Sequence, residues 1–423
     1  MTTLDVHLYK THLGRLSLSP SPTTKNRFDF ETNPAVFERF SLSSTIMSIA
    51  VPLVLKQNRS HAARRQNFFT ELLPEGRTLT NIALAARLSE SDSFELLARY
   101  GLDLAGALEI RKADQSAQAR IDTKPFLTVV NEARVRFLLE DTARYPLGNE
   151  LLTGKTSLAG VQTKILLAQT NTGDWAQVHN GQPSTHIIKP PVHEYPTIIF
   201  DEAWGLELAR ACGLIHYSSW IELFADLPAL VIERYDRDIN APGKRLHQED
   251  FNQVLGASGA QKYQEHGGRV SLKRIAQTLQ EHADHESIRA LAKQLIFAIT
   301  IGNLDMHAKN ISVLHLPDES VRLAPAYDLV PLQHQNTDGR VAMSINGEYA
   351  HANLSIAHLV SELLSWETTA FQNHEETYLF TEELITQIEA QASEIPLPTG
   401  AHSHLNKTVQ KNAKRLRAGK QIT

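Results

Sequence analysis

The sequence predicts an α+β fold in which a small lobe rich in strands precedes an all-helical C-terminal lobe, with a further mixed subdomain at the N-terminus. Three observations indicate this organisation. Apolar runs typical of strands dominate from about residue 150 to 237, one helical pattern interrupts them, and almost every periodic segment after residue 238 has helical spacing. The 423 residues also exceed the usual ~100–200 residues of one domain. We therefore expect three units, at 1–145, 146–237 and 238–423.

The first unit begins with alternating apolar and polar residues between positions 3 and 30, which predict a β-hairpin with its turn near His12-Leu13-Gly14. Helical spacing follows between residues 67 and 108. Polar, irregular sequence at 113–123 and again at 144–148 is typical of linkers. The second linker marks the end of this unit.

The middle unit has strand patterns at 164–168, 186–189 and 227–235. Its one helix is predicted at 201–214, because acidic residues occupy the first turn and Gly213 stands where a helix commonly ends in a left-handed residue. The order is therefore strands, one helix and strands again.

The last unit is predicted to be helical. Its periodic segments lie at 271–282, 286–299, 356–366 and 382–392. Near the C-terminus a basic cluster consists of Lys407, Lys411, Lys414, Arg415, Arg417 and Lys420. Two interpretations stay open for this cluster: a solvated helix face, or a contact with an acidic partner.

Composition excludes several classes of protein. A formal net charge of −5 gives no global reason to expect nucleic acid or an anionic membrane as the main partner. The single cysteine, Cys212, rules out an internal disulfide and is interpreted as a small core residue. No segment approaches the ~20 consecutive apolar residues that cross a bilayer, so we expect a cytoplasmic protein with no membrane partner.

The most informative motif is Asp305-Met-His-Ala-Lys-Asn310, followed by Tyr327-Asp328-Leu329. Kinases need an Asp that accepts the proton of the attacking hydroxyl, an Asn five residues later and a second Asp, and the last two hold the metal ions on the ATP phosphates. The alternative is a helix in which Asp305 and Lys309 form an exposed pair and Asn310 caps a turn.

A kinase must also hold the ATP phosphates, and two segments are candidates. Residues 156–164 contain small side chains around Gly160 and run into a strand, so backbone N–H groups could form an anion site there. Lys189 follows two isoleucines in a strand, and a buried ammonium needs anionic partners. ATP phosphates would supply these anions, and Glu202 or Asp201 would be the pairing carboxylate. The alternative is a lysine at a strand end that reaches water.

The strand at 230–236 resembles the connector between two kinase lobes, where Glu233 and Tyr235 are candidates to hold adenine. By itself this segment is an ordinary strand that ends in a charged turn. However, the glycine turn, the lysine strand, the acid-led helix, the connector, and the catalytic and metal-binding residues follow each other in kinase order. The sequence therefore predicts a protein-kinase-like two-lobe fold.

The same residues carry a family resemblance. The segments concerned are Ser157–Lys164, Thr185–Lys189, Ile232–Arg237, His247–Asp250, Gly302–Asn310 and Tyr327-Asp328, together with Asn67–Pro74 near the N-terminus. They resemble the HipA family, the serine/threonine-protein kinase toxins of bacterial type II toxin–antitoxin systems. The additional N-terminal unit is accordingly expected to be a HipA-type subdomain.

The resemblance implies a role for each matching residue. Asp305 would be the catalytic base, Lys189 the phosphate contact, and Asn310 and Asp328 the Mg²⁺ ligands. The ATP-binding residues would be Ser157, Leu158, Ala159, Gly160, Val161, Lys189, Glu233, Tyr235, Asn310 and Asp328. Ser157 matches the serine that the family autophosphorylates, and its phosphate, with a charge of about −1.5 to −2, would repel ATP phosphates and inactivate the enzyme.

The resemblance also implies partners: a HipB-like DNA-binding antitoxin, operator DNA only through that antitoxin, and an aminoacyl-tRNA synthetase as the phosphorylated target. Two departures concern the glycine loop, where Val161 and Thr163 replace the alanine and glutamate common in the family. Two alternatives remain beside the toxin kinase: a small-molecule phosphotransferase, and a catalytically weak kinase fold that acts mainly as a co-repressor.

Overall fold

The computed structural model describes residues 3–19, 28–58, 61–113, 124–150, 154–158 and 162–419. It begins with an antiparallel sheet in the order β3-β2-β1-β4. The strands are β1 (Leu4–Leu8), β2 (Thr11–Leu18), β3 (Phe28–Thr32) and β4 (Leu108–Lys112). Three helices accompany this sheet: α1 (Ala62–Thr70), α2 (Gly76–Ala86) and α3 (Ser93–Tyr100). Phe68 and Phe69 of α1 pack against Phe28 and Phe30 in a core of this subdomain.

The predicted hairpin is confirmed, but its turn lies at Tyr9 and Lys10 rather than near Gly14. Both turn residues have positive φ, 50° and 64°, as a tight two-residue hairpin turn requires. Gly14 lies instead within β2, where a Cβ atom would stand 2.1 Å from the carbonyl oxygen of Glu31. The glycine therefore permits the close approach of β2 and β3.

The small lobe is built on a six-stranded sheet in the order β5-β7-β6-β8-β10-β9. The strands are β5 (Phe126–Val129), β6 (Ile165–Gln169), β7 (Trp175–His179), β8 (His186–Lys189), β9 (Ser219–Phe224) and β10 (Leu227–Glu233). Helix α4 (Glu132–Glu140) packs Val135 and Leu138 on this sheet, and helix α5 (Ile198–Ala211) lies between β8 and β9 in the chain. Strand β5 and helix α4 thus come from residues before position 145.

The large lobe is mainly helical. Its helices are α6 (Phe251–Val254), α7 (Leu272–His282), α8 (His285–Ile301), α9 (Ile356–Ser365), α10 (His374–Glu394) and α11 (Leu405–Ala418). The expectation of an all-helical lobe is wrong in detail, because five short strands also occur: β11 (His247–Asp250), β12 (Ser312–His315), β13 (Val321–Leu323), β14 (Arg340–Ile345) and β15 (Glu348–Ala350). Each has three to six residues, too few for strand alternation to be evident in the sequence.

Helix α8 delivers the chain to the candidate catalytic loop. Asp284 caps its start by accepting a hydrogen bond from the Ser287 amide, and the helix is almost entirely buried from Gln294 to Ile301. It ends at Gly302, whose φ of 76° is the left-handed value typical of helix ends. A side chain at this position would collide with Gln333, 2.6 Å away, so glycine fixes the direction in which residue 303 leaves the helix.

Asp103 joins the N-terminal subdomain to the kinase lobes. It is fully buried, and its carboxylate lies 2.9 Å from Arg237, 3.6 Å from Arg245 and 4.0 Å from Arg234. Burial alone would raise the pKa of Asp103, but the three guanidinium groups outweigh it and lower that pKa. The connector after β10 is therefore anchored to a carboxylate from another part of the chain.

Cys212 is buried, as expected for a core residue. Among the described helices, none combines the length and apolar composition needed to span a membrane.

Candidate active site

Lys189 lies at the end of β8 with only 4% of its side chain exposed. Its ammonium donates to Glu202 Oε1 at 2.7 Å and to Asp328 Oδ1 at 2.8 Å. Glu202 is thus the pairing carboxylate. Asp201 points elsewhere and accepts hydrogen bonds from the hydroxyl of Thr197 and the amide of His402.

These charges are strongly coupled. Burial opposes the charged form of Lys189, but Asp328 and Glu202 outweigh it and raise the pKa of the lysine. Burial also opposes ionisation of Asp328, yet Lys189 and Lys164 lower the pKa of that carboxyl well below its ordinary value. For Glu202 burial dominates and raises the pKa. At neutral pH Lys189 and Asp328 are therefore both ionised, and the Asp328 side chain is 41% exposed toward any ligand.

Asn303 connects Asp328 to the catalytic loop. Its Nδ2 donates to the carbonyl oxygen of Asp328 at 3.1 Å, and its Oδ1 accepts from the amide of Asp305 at 3.0 Å. Asp328 itself has a φ of 56°, in the left-handed region that aspartate tolerates better than most residues. One buried amide side chain thus holds the two acidic segments beside each other.

Asp305 presents a carboxylate that is 49% exposed. Its Oδ1 accepts a hydrogen bond from the hydroxyl of Tyr263 at 3.1 Å, and its carbonyl oxygen accepts from Nδ2 of Asn310 at 2.9 Å. The amide oxygen of Asn310 is then the atom left to act as a ligand. Lys189, Asp305, Asn310 and Asp328 are thus brought together through a continuous set of contacts.

The glycine segment is described only in part, since Ala159, Gly160 and Val161 lie outside the described residues. Ser157 is fully buried, and its hydroxyl donates to the carbonyl oxygen of Leu72 at 3.1 Å. Lys164 lies beyond the loop, where burial and the nearby charge of Lys189 lower its pKa to about 8. We did not expect a second lysine beside Lys189, because strand alternation alone does not reveal that the residue before β6 lies near the end of β8.

The two connector residues differ in their relation to this charge cluster. The Glu233 carboxylate accepts from the amide of Ser218 at 3.0 Å, and no contact of Glu233 with Lys189 or Asp328 is found among the described residues. The Tyr235 ring lies 5.8 Å from the rings of both Tyr217 and Tyr327, and its hydroxyl donates to Gln248. Tyr235 thus belongs to an aromatic group next to Asp328, whereas the Glu233 side chain turns away.

Another buried lysine, Lys309, lies inside the catalytic loop itself. The ammonium of Lys309 is 2.5 Å from Glu71, 3.4 Å from Glu75 and 3.4 Å from Asp250. The carboxylates outweigh burial, which opposes the charge, and raise the pKa of Lys309. The alternative of an exposed Asp305–Lys309 pair is therefore wrong. This lysine cluster was missed because Glu71 is 238 residues away in the sequence.

The donor set suits a hard divalent cation. Magnesium prefers oxygen ligands and is usually held by one or two carboxylates together with substrate phosphates. The Asp328 carboxylate and the Asn310 amide oxygen fit this preference. Among the described residues no three His, Cys, Asp or Glu side chains are arranged to hold a metal. Phosphate oxygens would have to complete such a site.

Comparison with known proteins matches both halves of the chain. The model of the HipA N-terminal domain matches residues 4–111, and that of the HipA-like C-terminal domain matches residues 156–395. The putative kinase Y4mE of Sinorhizobium fredii is 33% identical over 66% of this chain and 67% of its own length. The serine/threonine-protein kinase toxin HipA of Shewanella oneidensis is 28% identical over 82% of this chain and 79% of its own length.

A solved structure confirms the fold. The chain from the Shewanella oneidensis HipA, HipB and operator DNA complex superposes with a TM-score of 0.76 at 24% identity, covering 98% of this chain and 96% of that one. The prediction of an α+β, protein-kinase-like two-lobe fold with a HipA-type N-terminal subdomain is therefore confirmed.

Proposed function

The chain belongs to the HipA family, and from this premise we propose that it is a toxin kinase that transfers the γ-phosphoryl group of ATP to a serine or threonine of a bacterial protein. One observation carries the proposal. Lys189 is held between Glu202 and Asp328, directly beside the loop that bears Asp305 and Asn310. This is the ion-pair arrangement on which active protein kinases depend.

Each residue then has a distinct role. Lys189 is charged and positioned to bind ATP phosphate oxygens. Asp305, with one oxygen already fixed by Tyr263, orients the substrate hydroxyl and accepts its proton. Asp328 and Asn310 would hold Mg²⁺, which neutralises phosphate charge when bound. Catalysis is thus mainly positioning and electrostatic stabilisation.

We propose Ser157 as an autophosphorylation site. Its hydroxyl is buried against Leu72, so the segment must leave this position before the hydroxyl can meet ATP. A phosphoserine cannot return to the same place, because the pocket that fits a neutral hydroxyl would have to bury a charge of about −1.5 to −2. Autophosphorylation would therefore leave the glycine loop displaced and the kinase inactive.

The proposed setting is a toxin–antitoxin system in the cytoplasm. The solved Shewanella structure contains HipA with HipB and operator DNA, which supports a HipB-like antitoxin as the partner and DNA contact through that antitoxin. An aminoacyl-tRNA synthetase is the proposed target on the basis of the family resemblance. Transfer of phosphate to such an enzyme would arrest growth.

The test is a phosphorylation assay with purified protein, Mg²⁺ and γ-labelled ATP. We expect one phosphate at Ser157, identified by mass spectrometry, and a fall of about 10²–10⁴-fold in its incorporation rate for Asp305→Asn. Thermal unfolding serves as the control, since the half-exposed Asp305 should tolerate the amide. In a cell extract the label should appear on a protein of synthetase size. A label only on small metabolites would contradict the proposal.

A further inference from the structure

A large cavity lies away from the active site, between the N-terminal subdomain and the small lobe. Its volume is about 1040 Å³, and its lining includes neither Lys189, Asp305, Asn310 nor Asp328. The walls come from β1, β4, the ends of α2 and α3, residue 155 and the turn at 180–183. Ligand pockets in proteins typically have volumes of about 300–1,000 Å³, so this space suits a small molecule.

The lining of this basic cavity is unusual for a chain with a net charge of −5. Among the residues that the structure describes, seven cationic side chains line it: Arg87, Arg99, Arg111, Lys112, Lys124, Lys155 and Arg245. Three carboxylates of the described residues do so, namely Asp5, Glu95 and Glu109. Each carboxylate already has a cationic partner: Arg15 lies 3.2 Å from Asp5, Lys112 lies 4.0 Å from Glu95, and Arg245 lies 3.0 Å from Glu109.

Two cations of the cavity stand out. Lys155 is half-buried, and no carboxylate of the described residues forms an ion pair with it. Burial, together with Arg99 and Lys112, lowers the pKa of Lys155 to about 8. The Nε atom of Arg99 is buried without a hydrogen-bond partner among the described residues. Buried donors of this kind normally have an acceptor.

We propose that the basic cavity binds a small molecule carrying two or more phosphate groups, with Lys155 and Arg99 as its central contacts. Cations contributed by several separate elements converge on one recess, which suits a compact polyanion. A site for an extended nucleic acid would instead have a stripe of cations along the protein surface. Guanidinium and ammonium groups together provide both forked and point-charge contacts to phosphate.

The position of Lys155 links the cavity to the glycine segment. Its carbonyl oxygen accepts hydrogen bonds from the amides of Leu102 and Asp103, at 3.3 and 3.2 Å. Two residues later, the amide of Ser157 donates to the carbonyl oxygen of Asp103 at 2.9 Å. A ligand that fixes Lys155 therefore stabilises the segment in which Ser157 is buried. This consequence rests on the proposed function, whereas binding itself does not.

The test is calorimetric titration of the full-length protein with inorganic tripolyphosphate and, separately, with ADP, in the absence of Mg²⁺. The Lys189→Met variant removes phosphate binding at the nucleotide site, so the remaining signal reports the cavity. We expect tripolyphosphate to bind this variant, and the further changes Lys155→Met and Arg99→Met to weaken that binding about tenfold or more. The matched control is Lys293→Met, an exposed lysine of α8, which should leave affinity unchanged.

The outcomes are distinct. Binding that depends on Lys155 and Arg99 supports the site, and tighter binding of ADP than of tripolyphosphate identifies a nucleotide rather than a free polyphosphate as its occupant. No binding, or equal affinity with and without Lys155 and Arg99, overturns it. If Lys189→Met does not fold, the wild-type protein replaces it, and the cavity variants must then lose one of two binding events. A failed kinase assay leaves this result unaffected.

Discussion

Two buried lysines in this molecule have the same chemistry but different surroundings. Lys189 and Lys309 each expose only 4% of the side chain, and carboxylates raise the pKa of both. However, Asp328, which contacts Lys189, is 41% exposed, whereas Glu71, Glu75 and Asp250 around Lys309 are exposed by 7%, 21% and 11%. The first cluster is open to a ligand and the second is closed. Glu202, the other partner of Lys189, is fully buried, so it is the exposure of one partner carboxylate that distinguishes a binding lysine from a supporting one.

The closed cluster links the catalytic loop to the N-terminal subdomain. Lys309 directly precedes Asn310 and follows Asp305 by four residues, while Glu71 and Glu75 come from the N-terminal subdomain. Glu71 also accepts from the amide of Gly259 and from Asn252, and Glu75 accepts from Lys262 at 2.8 Å. The N-terminal subdomain thus holds the catalytic loop in place through a buried charge network.

The largest effect should come from Lys309→Met. It removes the cation shared by Glu71, Glu75 and Asp250, of which Glu75 alone keeps an ion pair with Lys262. Breaking a buried ion cluster from one side costs about 3–5 kcal/mol. The free energy of unfolding, measured by urea denaturation, should fall by this amount. Lys293→Met, on an exposed surface of α8, is the control and should change it by less than about 0.5 kcal/mol. A loss as small as the control's would show that the closed cluster does not stabilise the fold.

Removing the lysine of the open cluster should affect catalysis more than stability. Lys189→Met is expected to lower the rate of phosphoryl transfer by about 10²–10³-fold, because a preorganised charge on the phosphates is lost. Its cost in unfolding free energy should be smaller than that of Lys309→Met, because the half-exposed Asp328 can be hydrated and the buried Glu202, whose pKa is already raised by burial, can take up a proton. Parallel rate and denaturation measurements on both variants decide this. If Lys189→Met were the less stable protein, the distinction between open and closed clusters would be wrong.

Glu71→Gln tests the supporting role more finely. The substitution keeps the shape of the side chain but removes the negative charge that faces Lys309. Loss of this charged hydrogen bond should lower the free energy of unfolding by about 1.5–3 kcal/mol. We expect kcat to fall several-fold while KM for ATP stays unchanged, because the contacts of Lys189 are untouched. Steady-state kinetics with varied ATP separates the two constants. A rise in KM alone would place Glu71 with the nucleotide instead.

The smallest expected effect concerns Glu249, a buried carboxylate that forms no ion pair with a lysine of the described residues. This effect on the free energy of unfolding depends on pH. Burial raises the pKa of Glu249 to about 7, although Ser48 and the amide of Ile49 donate hydrogen bonds to it. The folded protein therefore binds a proton more tightly than the unfolded chain, so this group stabilises the fold at low pH and the stability is lost as pH rises from about 4.5 to 7. Relative to Glu249→Gln, the wild type should lose about 1–3 kcal/mol over this range. Unfolding free energies at pH 4.5 and 7.5 measure it, and an increase would contradict the sign.

Sequence reasoning succeeded where chemistry follows spacing. The Asp305–Asn310 interval, the lysine strand and the acid-led helix indicated kinase-like residues, and the structure brings Lys189, Asp305, Asn310 and Asp328 together. It could not choose between Asp201 and Glu202, since adjacent residues differ only in the direction in which the helix presents them.

Elsewhere the sequence carried no usable signal. The hairpin turn was misplaced because Tyr9 and Lys10 adopt left-handed conformations without glycine. The large-lobe strands were too short to recognise, and the lysine cluster depends on residues hundreds of positions apart. These features arise from tertiary packing, which a local sequence pattern does not predict.

The buried Asp103 has a consequence for how this polypeptide can be divided. A fragment starting after residue 123 would contain Arg234, Arg237 and Arg245 and would keep Asp236, which pairs with the first two, but it would lose Asp103, the carboxylate near all three. Three buried guanidinium groups would then have lost the carboxylate that they share, and Arg245 is not among the ion pairs of Asp236. Such a truncation product should be insoluble when expressed by itself and should regain solubility only when the missing N-terminal piece is supplied in trans.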